Sequence, residues 1–160
     1  MDIFSHRESL TEHIVSGGPQ EETVATYAPT LTRTVAEKTE ELIQKYNITT
    51  VYDLGAGDLT LAVYLAENTS VTIVAYELNE ILISNSIDFW KEVEVWADEQ
   101  IEIRVEDFRE DLHEIDQTPN NLLVNCGQSN HLNPQQTTSL LLSSKVGSDI
   151  SLYNLPEQKQ

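Results

Sequence analysis

The sequence predicts an α/β fold: one domain in which helices cover both faces of a mostly parallel sheet. Short β-branched apolar segments alternate along the chain with segments of helical periodicity. That alternation is typical of β-α-β units, whose right-handed crossovers place successive strands parallel. Hydrophobic residues make up 39% of the 160 residues, which is enough for one core. The single cysteine, Cys126, excludes a disulfide within the chain.

The first elements precede the sheet. Residues 1–20 end in a Gly-Gly-Pro cluster, so we expect an N-terminal arm with one short helix and a single domain over residues 21–160. Pro29 can start a helix. Apolar residues then recur at helical spacing, which predicts a helix that ends near Asn47.

Strands and helices alternate from there to the end of the chain. We expect about five strands, over residues 48–54, 71–76, 101–105, 122–126 and 150–153. Helices are predicted over residues 58–67, from an Asn79 cap to Trp96, and over residues 134–142. Ligands of such sheets bind outside the carboxyl ends of the strands, so the residues that follow the strands are the candidate site.

The loop after the first strand combines acids with two glycines, in the order Asp53-Leu54-Gly55-Ala56-Gly57-Asp58. Glycines lack a Cβ atom, so the chain can turn tightly and a ligand can approach the backbone. The helix that follows directs unpaired N–H groups and a partial positive charge at the same place. Asp53, at the end of the strand, can face a cationic or donor-rich group.

This loop resembles motif I of the class I S-adenosylmethionine-dependent methyltransferases, which have a three-layer, Rossmann-like fold. The resemblance implies that Gly55, Ala56, Gly57 and Asp58 surround the methionine part of S-adenosylmethionine. It also implies that Asp53 acts near the amino group of that cofactor. A nicotinamide cofactor is less favoured, because that fingerprint needs a third glycine where this chain has Thr60.

Further residues match the same family in the same order along the chain. Glu77 closes the second strand, where an acid accepts hydrogen bonds from the ribose hydroxyls. After the third strand, the resemblance places Asp107 at the adenine amino group and Phe108 beside the adenine ring. Leu78 is expected to add an apolar contact to the adenine, and Tyr27, ahead of the first strand, to lie over the cofactor near its methyl group.

The end of the fourth strand is where the resemblance implies the acceptor-binding groups. Amino-methylating nucleic-acid enzymes carry Asp/Asn/Ser-Pro-Pro-Tyr/Phe there, whereas this chain has Asn125-Cys126-Gly127-Gln128. Asn125 matches the first position and is the candidate catalytic residue, with RNA or another nucleic acid as the expected substrate. The rest of that motif is missing. A non-catalytic subunit that binds the cofactor or a protein partner without transferring methyl is therefore the alternative.

Cysteine and histidine add no second site. Cys126 fits a small buried strand residue better than a nucleophile paired with His131. The four histidines show no metal-ligand spacing, so we predict no metal site.

The chain carries 27 acids against 9 bases, a net charge of −18. Such an acid excess favours a salt-adapted, halophilic protein over an ordinary protein with one acidic face. No apolar run approaches the ~20 residues that a membrane helix needs, and the first ten residues hold no apolar signal segment, so we expect a cytoplasmic protein. The family's complete core has more strands than this sequence predicts. We therefore expect either that the substrate sits on the N-terminal arm and the loop after Cys126, or that a homodimer or a partner chain completes the site.

Overall fold

The computed structural model describes residues 2–16, 27, 29, 31–125 and 150–153. Its sheet consists of β1 (Thr50–Leu54), β2 (Thr72–Tyr76), β3 (Ile101–Arg104), β4 (Asn121–Asn125) and β5 (Ile150–Tyr153). The strand order is β3-β2-β1-β4-β5, and every pairing among these strands is parallel. The α/β class and the parallel sheet of about five strands that the sequence predicts are thereby confirmed.

Five α-helices lie within the described residues: α1 (Arg7–Ser16), α2 (Arg33–Tyr46), α3 (Thr60–Asn68), α4 (Glu80–Glu92) and α5 (Leu112–Gln117). Two 3-10 turns, Ile3–His6 and Phe108–Asp111, precede α1 and α5. The predicted helix over residues 134–142, together with Cys126 and His131, lies outside the described residues. None of the helices in the described ranges is long and apolar enough to cross a bilayer.

Local side chains set several helix ends. The Thr32 hydroxyl accepts a hydrogen bond from Val35 N at 3.2 Å, and the Asn79 side chain accepts one from Leu82 N at 3.0 Å, so both residues cap the helices that follow them. Asn47 ends α2 in the left-handed conformation, with φ 55°. Helix α4 ends at Glu92, before the predicted Trp96, since Glu94 is left-handed (φ 63°) and breaks the helical path.

The sheet separates two cores because successive side chains of a strand point to opposite faces. On one face, Val51, Ile73 and Val124 pack with the buried sides of α2, α3 and α4. On the other face, Tyr52, Tyr76 and Leu123 pack with Phe108 and Ile115. Helices therefore cover both faces, and the three-layer arrangement follows.

The N-terminal arm belongs to the first of these cores. Ile3, Leu10 and Ile14 are buried in it, and α1 packs against α4. The apolar surface of the arm thus supports the same domain that carries the sheet, while the boundary at residue 20 stays a prediction.

Strand register brings the candidate residues to one edge of the sheet. Asp53 of β1 lies beside Ala75 of β2 and Val124 of β4. The loop after β1, the residues after β2 and the end of β4 therefore meet at the carboxyl edge, where ligands of parallel α/β sheets bind.

Candidate functional site

The glycine loop, residues 55–59, leads from β1 into α3. Gly55 and Gly57 have φ values of 88° and 60°, a region in which a residue with a Cβ is strained. The N–H groups of Gly55 and Ala56 both donate to the Tyr76 carbonyl, at 2.9 and 2.7 Å, which ties the loop to the end of β2. The backbone at these two positions therefore favours the glycines that the sequence places there.

Glu77 fixes the loop from the neighbouring strand. Its Oε1 atom accepts a hydrogen bond from Gly57 N at 2.8 Å, and its Oε2 atom accepts one from Asn79 N at 3.1 Å. The side chain is half-buried. A carboxylate has about four acceptor positions, so these two bonds leave Glu77 able to accept hydroxyl donors from a ligand.

Asp53 is a buried acid without a full set of partners. Its residue is 2% exposed, and Oδ2 has no hydrogen-bond partner. Burial, and secondarily the charges of Glu77 and Asp58, raise the pKa of Asp53 to about 7. An unpartnered carboxyl in such a place costs free energy, which a cationic ligand group would offset.

Asp58 links the loop to the N-terminal part of the chain. Its Oδ1 atom accepts from Thr60 N at 3.0 Å, while Oδ2 accepts from the Tyr27 hydroxyl at 2.5 Å and lies 4.0 Å from Nη2 of Arg7. Burial and the Asp58 charge raise the pKa of Tyr27, so its hydroxyl stays protonated and donates. Sequence analysis missed Arg7, because one arginine in an N-terminal arm carries no local motif.

Tyr27 is placed directly over the glycine loop. Among the described residues, its hydroxyl is the one atom within 4 Å of the position that a Cβ on Gly57 would take, at 4.0 Å. No other described residue, apart from the chain neighbours of Gly57, comes within 4 Å of that position. The Tyr27 hydroxyl thus lies beside the loop, and the position of Tyr27 over a cofactor, near its methyl group, stays a prediction.

The residues expected at an adenine follow β2 and β3. Leu78 is 66% exposed and offers apolar surface beside Glu77. Phe108 is 8% exposed and packs edge-on against Tyr76 in the second core. Asp107 caps the 3-10 turn and binds the guanidinium of Arg109, which lowers the pKa of Asp107. A ligand amino group would therefore share the Asp107 carboxylate with Arg109.

Asn125, the candidate catalytic residue, ends β4. Its backbone pairs with Tyr153 of β5, and the preceding Val124 pairs with Asp53. This register puts the backbone of Asn125 at the same edge as the glycine loop. In the described ranges, no group of three or more His, Cys, Asp or Glu side chains is arranged to hold a metal ion.

Comparisons with known proteins identify structures of the same fold. No protein-family model and no curated protein matches the sequence. A candidate O-methyltransferase from Klebsiella pneumoniae superposes with a TM-score of 0.65 at 12% identity, over 94% of this chain and 64% of that one. A candidate caffeoyl-CoA O-methyltransferase from Staphylococcus aureus gives a TM-score of 0.62 at 12% identity, over 88% of this chain and 59% of that one.

A third structure of this fold was determined with a bound ligand. The N-terminal domain of EvdMO1, with SAH (S-adenosylhomocysteine) bound, gives a TM-score of 0.55 at 16% identity, over 89% of this chain and 60% of that one. The chain thus spans about six tenths of the length of these three structures.

Proposed function

We propose that this chain, which has the Rossmann-like fold of the class I methyltransferases, binds S-adenosylmethionine at its glycine loop and transfers the methyl group to an acceptor. The observation that carries the proposal is the buried, unpartnered Oδ2 atom of Asp53 directly before that loop. A site for an ammonium group explains why an acid is kept there without a partner.

Residues outside the loop offer groups that suit the other parts of that cofactor. Glu77 has acceptor positions left for the two ribose hydroxyls, and exposed Leu78 lies next to it in sequence for contact with an adenine. Gly55, Ala56, Gly57 and Asp58 would surround the amino-acid end. Asp107 and Phe108 are proposed for the adenine, with Arg109 as the present partner of Asp107.

The chemistry that the bound cofactor supplies is an electrophilic methyl group on a sulfonium. The chain's own contribution would be alignment: the loop would hold one end of the cofactor and Glu77 its ribose, with the acceptor bound at the carboxyl edge. S-adenosylhomocysteine would be the leaving group, and the proton of the acceptor would pass to solvent. Asn125, at the end of β4, is proposed to hold that acceptor by hydrogen bonding. RNA or another nucleic acid is the proposed acceptor, supported by the match of Asn125 to the first position of the amino-methylating motif.

A non-catalytic role is the second candidate, because the Pro-Pro-aromatic part of that motif is replaced by Cys126-Gly127-Gln128. Such a protein would bind S-adenosylmethionine or a protein partner without transferring methyl. Completion of the site by a second copy or a partner chain, and a cytoplasmic location, stay predictions from the sequence.

Calorimetric titration with S-adenosylmethionine in molar salt tests the binding step. Glu77→Ala should weaken binding by roughly 1–3 kcal/mol, the range for hydrogen bonds to a charged group. The matched control is Glu99→Ala, an exposed acid outside the loop, which should leave the dissociation constant unchanged. Absence of binding by the wild-type chain would overturn the proposal.

Transfer of labelled methyl groups to bulk RNA, DNA, protein and small hydroxyl compounds tests the second step. Labelling of RNA or DNA supports the proposed acceptor. Labelling of another class would retain the methyltransferase and replace the nucleic acid. Tight binding without labelling of any class would favour the non-catalytic candidate.

A further inference from the structure

The guanidinium of Arg7 has N–H donors that no hydrogen bond within the described residues uses. Its side chain is 16% exposed, and Nη1 donates to the Leu31 carbonyl at 3.0 Å. Nη2 lies 4.0 Å from Asp58 Oδ2, beyond hydrogen-bond distance, and Nε is buried with no partner. Buried polar groups are normally satisfied, so the buried Nε marks an incomplete set of partners, and no hydrogen bond within the described residues uses Nη2.

The two underused nitrogens lie on one edge of the guanidinium. Nε and Nη2 together form a side of the planar group that can bind both oxygens of a carboxylate through two parallel hydrogen bonds. The edge that Arg7 leaves without full partners therefore has the shape of a carboxylate-binding fork.

This fork lies at the glycine loop. Asp58, which Nη2 approaches, belongs to the loop and accepts from Thr60 N at the first residue of α3. The same Asp58 oxygen accepts from Tyr27, whose hydroxyl lies against Gly57. Arg7 is thus connected through one carboxylate to the backbone that a ligand would approach.

The charges around the loop call for a cation at this place. Asp53, Asp58 and Glu77 suit the cationic and donor groups of an amino-acid ligand, but they repel its carboxylate. Among the ion pairs of the described residues, the Arg7–Asp58 pair is the one that includes a residue of the loop. Helix α1 does not account for this cation, since Arg7 is its first residue and a positive charge is disfavoured at a helix N-terminus.

We infer that Arg7 binds the carboxylate of the cofactor's amino-acid end through Nε and Nη2, with Asp58 and Tyr27 holding the fork beside the glycine loop. The inference rests on the proposed function, because it concerns the same ligand. It assigns a binding role to the N-terminal arm, which otherwise contributes apolar packing.

Two ligands that differ in the amino-acid end test the inference. S-adenosylhomocysteine carries the carboxylate, whereas 5′-methylthioadenosine retains the nucleoside and lacks the whole amino-acid part. In calorimetric titrations, Arg7→Gln should weaken binding of S-adenosylhomocysteine about tenfold or more, as loss of a charge-assisted bidentate pair predicts. Binding of 5′-methylthioadenosine should not change.

Arg33→Gln is the matched control. Arg33 lies over the same Phe4 ring as Arg7, at 4.9 Å against 5.4 Å, but its exposed ion pair is with Asp2. It should leave both affinities unchanged. Equal weakening of both ligands by Arg7→Gln, or no weakening of either, would overturn the carboxylate role. Failure of the wild-type chain to bind either ligand would instead overturn the proposed function.

A measurement on the wild-type chain keeps the inference testable if Arg7→Gln does not fold. Decarboxylated S-adenosylhomocysteine retains the amino group and lacks only the carboxylate. It should bind about tenfold or more weakly than S-adenosylhomocysteine. Equal affinities would show that no cation binds the carboxylate.

Discussion

The ionisation of Asp53 is coupled to the other acids of the candidate site and to ligand binding. Burial raises the pKa of Asp53 to about 7, so the neutral acid is far more populated at neutral pH than for an ordinary aspartate. The groups that face it include the carboxylates of Glu77 and Asp58, while Tyr27 and Arg7 act through Asp58. Binding of a cation would favour the ionised form, so ligand binding and loss of the Asp53 proton are coupled.

The first prediction concerns the pH dependence of cofactor binding. An ammonium group binds ionised Asp53 better than the neutral acid, so affinity for S-adenosylmethionine should increase as pH rises from about 5.5 to 8. Calorimetric titrations across that range measure the slope. Asp53→Asn should bind more weakly and lose most of the dependence. A wild-type affinity that is flat through pH 7 would contradict the role of Asp53.

The second prediction concerns stability in the absence of ligand. The folded-state pKa of Asp53 lies above its unfolded value of about 3.9, so between pH 4 and 7 the folded chain holds a proton that the unfolded chain has lost. The free energy of unfolding should therefore fall as pH rises through this window. Asp53→Asn removes the ionisation and should be more stable than wild type at pH 8.

Thermal melts of both proteins at pH 5 and pH 8 provide the measurement. The comparison with Asp53→Asn separates this effect from acids such as Asp107, whose pKa is lowered and whose contribution is lost at more acidic pH. An identical difference in melting temperature at the two pH values would contradict the buried, unpartnered state of Asp53.

The meeting of the candidate site residues at one sheet edge was predictable where a local motif carries them, and their binding roles stay predictions. Asp53, Gly55, Gly57 and Glu77 follow from the strand-glycine-helix pattern and from the spacing of the next strand. Arg7 was not predictable, because its contact with Asp58 depends on how the N-terminal arm packs onto the core. Asp107 and Arg109 are only two residues apart in sequence, yet the motif alone gave no reason to expect an ion pair between them.

At the level of elements, the glycine loop depends on backbone shape as much as on side chains. Gly57 is left-handed, and its N–H group donates to Glu77, so both the backbone conformation and a side-chain hydrogen bond fix the turn.

The third prediction concerns this glycine. Gly57→Ala should cost about 1–2 kcal/mol of stability through backbone strain. It should also weaken S-adenosylmethionine binding about tenfold or more, since the alanine Cβ would project into the space where we propose that the cofactor binds.

Asn47→Ala supplies the matched control, because Asn47 is also left-handed, is exposed, and lies at the opposite edge of the sheet. It should show comparable strain and unchanged binding. Melting curves and calorimetric titrations of the two variants give both quantities. Unchanged binding by Gly57→Ala would mean that the loop does not touch the ligand.

The strands and helices were predictable because they differ in hydrophobic period. Their first and last residues were less predictable. Helix α3 begins at Thr60 rather than Asp58, since the Asp58 side chain bonds to Thr60 N and Leu59 is left-handed. Helix α4 stops short of Trp96 although its apolar pattern continues, because Glu94 turns the backbone away. Period alone does not specify such left-handed residues when they are not glycine.

For the whole molecule, acids exceed bases threefold, so simple pairs can neutralise at most a third of the carboxylates. Unpaired surface carboxylates repel one another, and that repulsion opposes the compact state. The Debye length is about 3 Å at 1 M salt, so concentrated salt screens most of the repulsion.

The fourth prediction is that the melting temperature rises from low salt to molar potassium chloride. Sucrose at matched osmolality is the control, because it changes water activity without screening charge. A melting temperature that does not respond to salt would contradict the halophilic interpretation of the composition. A response to sucrose of the same size would assign the effect to solvent exclusion instead.

Trp90 gives the loop an intrinsic fluorophore. The indole is fully buried, and its Nε1–H donates to the Asp58 carbonyl at 2.9 Å. Indole emission responds to the polarity and hydrogen bonding around the ring, so a ligand that shifts this carbonyl should alter the spectrum. The other tryptophan, Trp96, donates to the exposed Asp98 beyond the end of α4, so Trp96→Phe would leave Trp90 as the one indole of the chain. The intrinsic fluorescence of the protein, without any added label, would then measure ligand binding at the glycine loop.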